Sequence, residues 1–149
     1  MNKDIIFNIY MFLDTKSICN CSQSNKLFHE VHNNDYLWKL KFNIDFNKNI
    51  NEYKQLFGLN NKKTYIKYYM INNLIIKLKL TYSISELYNV KGLSPNNKIT
   101  QIPKEIGMLT NLQRLCLAFN KITQIPKEIG MLTNLQYLQL NDNQITQIP

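Results

Sequence analysis

The run Ile-Thr-Gln-Ile-Pro-Lys-Glu-Ile-Gly-Met-Leu-Thr-Asn-Leu-Gln stands at residues 99–113 and again at 122–136, and its first residues return at Ile145. The interval is 23 residues each time. A fixed period of this length marks stacking of one supersecondary unit, because such a unit cannot cover its own apolar face and needs the next copy to do so. The C-terminal half is therefore expected to be a solenoid, stabilised by contacts between neighbouring coils and suited to recognition along a surface.

The unit reads Leu112-x-x-Leu115-x-Leu117-x-x-Asn120-x-Ile122-x-x-Ile125-Pro126, then Leu135-x-x-Leu138-x-Leu140-x-x-Asn143-x-Ile145-x-x-Ile148-Pro149. Alternation around Leu115 and Leu117 suits a short strand with one buried face, and the Asn120 amide can satisfy backbone groups of a tight turn. Pro126 cannot join a central strand and Gly130 is expected to end any helical turn begun at Lys127, so the return segment should be short and irregular. Ile125, Ile129, Leu132 and Leu135 are expected to fill the inside. This pattern closely resembles the leucine-rich repeat. The Ile-Pro-x-x-Ile-Gly-x-Leu-x-x-Leu spacing is similar to the short repeat class of some intracellular GTPase-linked scaffolds.

Between residues 99–121 and 122–144 the copies differ only at Arg114/Tyr137, Cys116/Gln139, Ala118/Asn141, Phe119/Asp142 and Lys121/Gln144. Every inward apolar position is identical. The resemblance implies that residues between and just after the strand leucines face a concave, partner-binding surface, and four of the five differences fall there. It thus marks Arg114, Cys116, Phe119, Tyr137, Gln139 and Asp142 as substrate-binding candidates. Diversification of that surface for a partner is one reading; recent duplication with differences clustered by chance is the other.

Composition bounds the remainder. With 149 residues, 44% hydrophobic and 11% aromatic, the chain can form one domain or two small ones with packed cores. The net charge of +8 invites an acidic partner, but Arg114 is the single arginine and the lysines are interleaved with asparagine, which reads as codon bias rather than a nucleic-acid patch. No membrane is expected: Leu74-Ile75-Ile76 is closed by Lys77, far short of the ~18 apolar residues a span requires. Lys3 and Asp4 do not read as a signal peptide. Three cysteines in no bridging pattern fit a reducing cytoplasm or nucleus, or a host cytoplasm if the chain is viral. Cys19-x-Cys21 lacks a second ligand pair. His29 and His32 lie three apart on an expected helix, where helix histidines are favoured over a metal pair, so no metal or cofactor is expected.

At the N-terminus, Ile5, Ile6, Ile9, Tyr10 and Leu13 recur at helical spacing behind Asn2 and Asp4, which suit a cap and a first turn. Asp14 and Thr15 restart the chain, Ile18 and Cys19 mark a second short helix, and Leu27, Phe28 and Val31 a third. Asn33-Asn34 then breaks the pattern before Tyr36-Leu37-Trp38. Three short helices bury little alone, so an adjoining element or partner must cover one apolar face. The arrangement resembles the F-box. Ile5-Ile6-x-x-Ile9-Tyr10-x-x-Leu13 falls on that family's first amphipathic helix, Ser17-Ile18 on its second, and Phe28 where tryptophan is usual. Asn34-Asp35-x-Leu37-Trp38 falls on its closing motif. Met1-Asn2 replaces the usual leucine-proline, and Asn25 replaces the cysteine before the basic pair.

This resemblance implies docking on a Skp-type adaptor of a cullin–RING ubiquitin ligase core, through Ile5, Ile6, Ile9, Tyr10 and Leu13, with the repeats holding an unknown protein substrate. The alternative is a leucine-rich-repeat scaffold without a ubiquitin role, binding a small GTPase. A basic nucleic-acid binder is the third and weakest reading. No Gly-rich phosphate loop, nucleophile elbow or paired carboxylates point to an enzyme, and a substrate receptor supplies only proximity.

In the connecting stretch, Tyr53, Leu56 and Phe57, then Tyr65, Ile66, Tyr69 and Met70, predict two helices. The tyrosines are read as core residues rather than base-stacking platforms. Leu74 to Leu80 is compatible with a first strand or with helix, and Leu87-x-x-Val90-x-x-Leu93 ahead of Asn97 reads as a worn repeat whose strand lacks its leucines. The expected class is α+β, with an F-box-like helical domain at 1–42, a helical connector at 43–83 and repeats at 84–149. The last comprise a degenerate repeat at 84–98, full repeats at 99–121 and 122–144 and a partial one at 145–149. With the motif stopping mid-unit, the edge at Leu135, Leu138 and Leu140 is expected to be marginal unless more chain or a partner covers it.

Overall fold

The computed structural model describes residues 13–14, 17, 30–95 and 98–149. It combines helices with a small parallel sheet, an α+β arrangement, and divides into two compact units, Met1–Ile66 and Lys67–Pro149. Helix α1 spans Asp35–Phe46, α2 Ile50–Phe57, α3 Asn61–Lys77 and α4 Ile84–Asn89; strands β1, β2 and β3 are Gly92–Leu93, Arg114–Cys116 and Tyr137–Gln139.

The helix boundaries follow local chemistry. Asn34 caps α1, its side-chain oxygen accepting from the Tyr36 amide at 3.0 Å, and Asn49 caps α2 through the Asn51 amide at 3.0 Å. Asn47 and Gly58 end these helices in the left-handed conformation, with φ of 49° and 64°. At α4, Ser83 and Glu86 form a capping box. The side-chain and backbone hydrogen bonds from Ser83 hold the Glu86 carboxyl below its ordinary value.

In the first unit the core gathers around Trp38 and Phe42, both fully buried. The Trp38 ring packs against His32 and Tyr65 at 5.4 and 5.0 Å between centroids, and its indole N–H donates to the His32 carbonyl at 2.7 Å. Phe42 meets Phe46 and Tyr53 at 5.1 and 5.6 Å. Asp45 accepts the Tyr65 hydroxyl and pairs with the buried Lys41 at 3.0 Å, so that ammonium is not left uncompensated. The Asn61 amide donates to the Asp35 carbonyl at 3.0 Å and ties the start of α3 to the start of α1.

Leu74 to Lys77 belongs to α3, which settles the choice between strand and helix. After it, the Leu80 amide donates to the Ile75 carbonyl at 2.9 Å and the Lys79 amide to the Ile76 carbonyl at 3.2 Å, a closing turn that satisfies the last carbonyls. Within the second unit, Lys67 sits 4.4 Å above the Tyr88 ring and donates to its hydroxyl at 3.1 Å.

The sheet runs β1-β2-β3, all parallel, pairing Leu93 with Leu115 and Leu115 with Leu138. Gly92 pairs with Arg114 and Arg114 with Tyr137, so the first step is 22 residues and the second 23. The worn repeat therefore keeps a strand leucine, Leu93. The 22-residue step displaces Leu93 by one position from a strict 23-residue template, which hides this strand leucine in the sequence.

Asn120 and Asn143 account for the turns. Asn120 accepts from the Ile99 amide at 2.9 Å and donates to the Leu117 and Ala118 carbonyls at 3.0 and 3.1 Å. One coil later, Asn143 accepts from the Ile122 amide at 3.0 Å and donates to the Leu117 and Leu140 carbonyls at 2.8 and 2.9 Å. Each asparagine thus closes its own turn and reaches back to the preceding coil.

On the return segment, short 3-10 helices span Lys104–Met108 and Lys127–Met131. Gly130 lies inside the second rather than ending it, because an i to i+3 turn does not need a left-handed residue to close. Ile102, Ile106, Leu109 and Leu112 are buried, whereas of their counterparts Ile125, Ile129, Leu132 and Leu135 only Leu132 is; the rest are half-buried. The inside is filled one coil earlier than expected.

Candidate functional site

Strand alternation sends Leu115 and Leu93 inward and leaves Arg114, Cys116, Tyr137 and Gln139 on the opposite face. Parallel register then places Arg114 directly beside Tyr137 and Cys116 beside Gln139. The Cys116 thiol donates to the Gln139 carboxamide oxygen at 2.6 Å, which fixes that pair, while Arg114 and Tyr137 remain exposed. Arg114 and Tyr137 are thus register neighbours on adjacent strands, both open to solvent.

Phe119 and Asp142 occupy equivalent turns after their strands, both left-handed, with φ of 58° and 56°. The Phe119 amide donates to the Asn141 carbonyl at 3.1 Å, holding the turn against the next coil. Phe119 is 75% exposed and Tyr137 51%. The six residues implied by the repeat resemblance thus fall into two register pairs and one equivalent turn pair on consecutive coils.

Of the five residues assigned to the N-terminal docking face, only Leu13 is described, half-buried; Ile5, Ile6, Ile9 and Tyr10 lie outside the described residues, as do Phe28 and His29. Asp14 accepts from the Ser17 amide at 2.9 Å and the Ser17 hydroxyl at 3.0 Å, in keeping with a chain restart there. His32 is buried against Trp38. Among the described residues no group of three or more His, Cys, Asp or Glu side chains is placed to hold a metal ion, and no helix is long and apolar enough to cross a membrane.

The second unit also contains a cavity of about 540 Å³ lined in part by Lys77, Lys79, Lys98 and Lys104. No local motif announces it, because the four lysines come from the end of α3, the residues after it, the position just before the first full repeat and the start of that repeat's 3-10 helix.

Two protein families match the chain. The F-box-like family matches residues 3–43, and the leucine-rich repeat family, in its two-copy form, matches residues 110–149. A search of curated proteins found no match. Both matched modules are non-catalytic interaction domains, which makes the chain a protein-interaction adaptor. The helix at Asp35–Phe46, the short parallel sheet and the asparagine-closed coils agree with these matches, and the chain carries an F-box-like domain followed by C-terminal leucine-rich repeats.

Proposed function

We propose that the chain is a substrate receptor of a cullin–RING ubiquitin ligase, its F-box-like end docking on a Skp-type adaptor and the outward sheet face of its repeats holding a protein substrate. The observation that carries this reading is the pairing of an F-box-like match at 3–43 with repeats whose outward face presents Arg114, Tyr137 and Phe119 to solvent. Transfer chemistry belongs to the ligase; the receptor raises the local concentration of substrate.

Co-purification of the full chain with a Skp-type adaptor and cullin tests the docking half. Ile9→Asp puts a charge on the proposed docking face, where burial without a partner is strongly unfavourable, and is expected to abolish adaptor capture while Trp38 fluorescence reports an intact first unit. Tyr137→Ala is expected to retain the adaptor and weaken substrate binding by ~1–3 kcal/mol. Undiminished adaptor capture by folded Ile9→Asp overturns the docking assignment. Capture of a small GTPase without adaptor or cullin indicates a repeat scaffold instead.

A further inference from the structure

The cavity of about 540 Å³ in the second unit collects Lys77, Lys79, Lys98 and Lys104, with Thr100 and Gln101 supplying polar groups beside them. One of the four ammonium groups is matched: Lys77 pairs with Glu105 at 2.6 Å, and that carboxylate is nearly buried while the Lys77 side chain stays 49% exposed. Glu105 thereby orients Lys77 without closing it off. Among the described residues Lys79, Lys98 and Lys104 pair with no carboxylate. The carboxyl end of α3 favours cations nearby, which accounts for Lys77 and Lys79, but it does not account for Lys98 and Lys104 arriving from a separate segment.

The backbone adds an independent observation. Lys79 and Lys98 have φ of 50° and 49°, the left-handed region that favours glycine and asparagine. Elsewhere this chain puts Asn47 and Gly58 at such helix ends. Long cationic side chains are thus kept at two strained positions that both line one cavity, the pattern expected where side-chain chemistry outweighs backbone preference.

We propose that this cavity binds a ligand carrying two or more closely spaced phosphate groups. Lysine ammoniums are compact point charges suited to phosphate oxygens, and several of them facing one space call for a multiply charged anion rather than a single carboxylate. The volume falls in the usual range of small-ligand sites, about 300–1,000 Å³. Among the described residues the lining contains no aromatic ring to stack a nucleobase. A free polyphosphate and a protein segment with two neighbouring phosphoserines share this chemistry.

Calorimetric titration of the full chain with sodium tripolyphosphate, and separately with a doubly phosphorylated serine peptide and its unphosphorylated form, distinguishes the two sources. The expected result is saturable binding at one site, weakened at least tenfold in Lys79→Asn/Lys98→Asn. Asparagine tolerates the left-handed backbone, so the thermal midpoint of that variant should stay level or rise, separating lost binding from lost folding. Lys104→Gln, at a position of ordinary backbone, should also weaken binding. Tighter binding of the phosphorylated peptide than of tripolyphosphate, lost in the same variants, assigns the source to a protein segment. The control Lys48→Asn/Lys63→Asn removes equal charge elsewhere and should bind as the parent does. Equal losses in both double variants, equal binding of the unphosphorylated peptide, or no saturable binding of either phosphate ligand overturns the proposal.

Discussion

Phe119 combines two unfavourable properties, a left-handed backbone and a ring 75% exposed to solvent, at a position where the next coil places Asp142 in the same conformation. Aspartate tolerates that region; a bulky aromatic there is strained by about 1–2 kcal/mol. Among the described residues nothing compensates, since the side chain is mostly in water. A contact with a partner is the compensation that fits. Phe119→Asn is therefore expected to raise folding stability by about 1 kcal/mol, read from denaturant midpoints, and to weaken binding of the proposed substrate. A loss of stability on this substitution would show that the ring packs within the fold and would remove it from the binding face. Sequence comparison of the two copies singled out this position, and the backbone angle and the exposed ring set it apart from Ala118 and Lys121 nearby.

Two glycines that look equivalent in the repeat have different duties in the folded element. A Cβ on Gly107 would stand 3.0 Å from the Glu128 carbonyl oxygen and 3.1 Å from the Met131 sulfur, whereas one on Gly130 would meet nothing within 4 Å. The first 3-10 helix is pressed against the second, and the second has no neighbour there. Gly107→Ala should destabilise the repeats by about 1–3 kcal/mol through overpacking. Gly130→Ala should be neutral or stabilising by up to about 1 kcal/mol through the unfolded chain. Urea titrations followed by far-ultraviolet circular dichroism compare them, and equal effects would show that the coils do not stack on this side. The periodic sequence assigns both glycines one role because it records the unit, while steric demand depends on whether a coil lies alongside. The same reasoning explains what was legible at this scale. The asparagine turns and strand register follow from residues repeated in every unit, and α2 and α3 follow from their apolar spacing. The single-residue shift at β1 and the lysine cavity depend on where separate segments meet, which no local pattern encodes.

Across the molecule, burial is uneven in a way that follows the number of neighbours each coil has. Leu109, Leu112 and Leu115 are fully buried and Leu117 nearly so, while in the next coil Leu138 is 38% exposed and Leu135 and Leu140 are half-buried. Both strands keep their backbone pairing to the preceding coil, since the Arg114 amide donates to the Lys91 carbonyl and the Tyr137 amide to the Gln113 carbonyl, at 2.9 and 3.0 Å. The difference therefore lies in side-chain cover rather than in hydrogen bonding. Burying a leucine contributes about 1.5–3 kcal/mol, so partial exposure of a few of them lowers the local opening energy of the last coil by an amount of that order. Amide hydrogen exchange on dilute monomer should accordingly fall by roughly ten- to a hundredfold in protection between Leu115 and Leu138. Intermediate protection is expected at Ile122, which is buried and whose amide is held by Asn143. Addition of a protein that binds the outer edge of β3 should erase the gradient, whereas a ligand confined to Arg114 and Tyr137 should leave its direction unchanged. Protection that is uniform from Leu115 through Asn143 in the isolated monomer would mean that neighbour contacts do not set the stability of these coils.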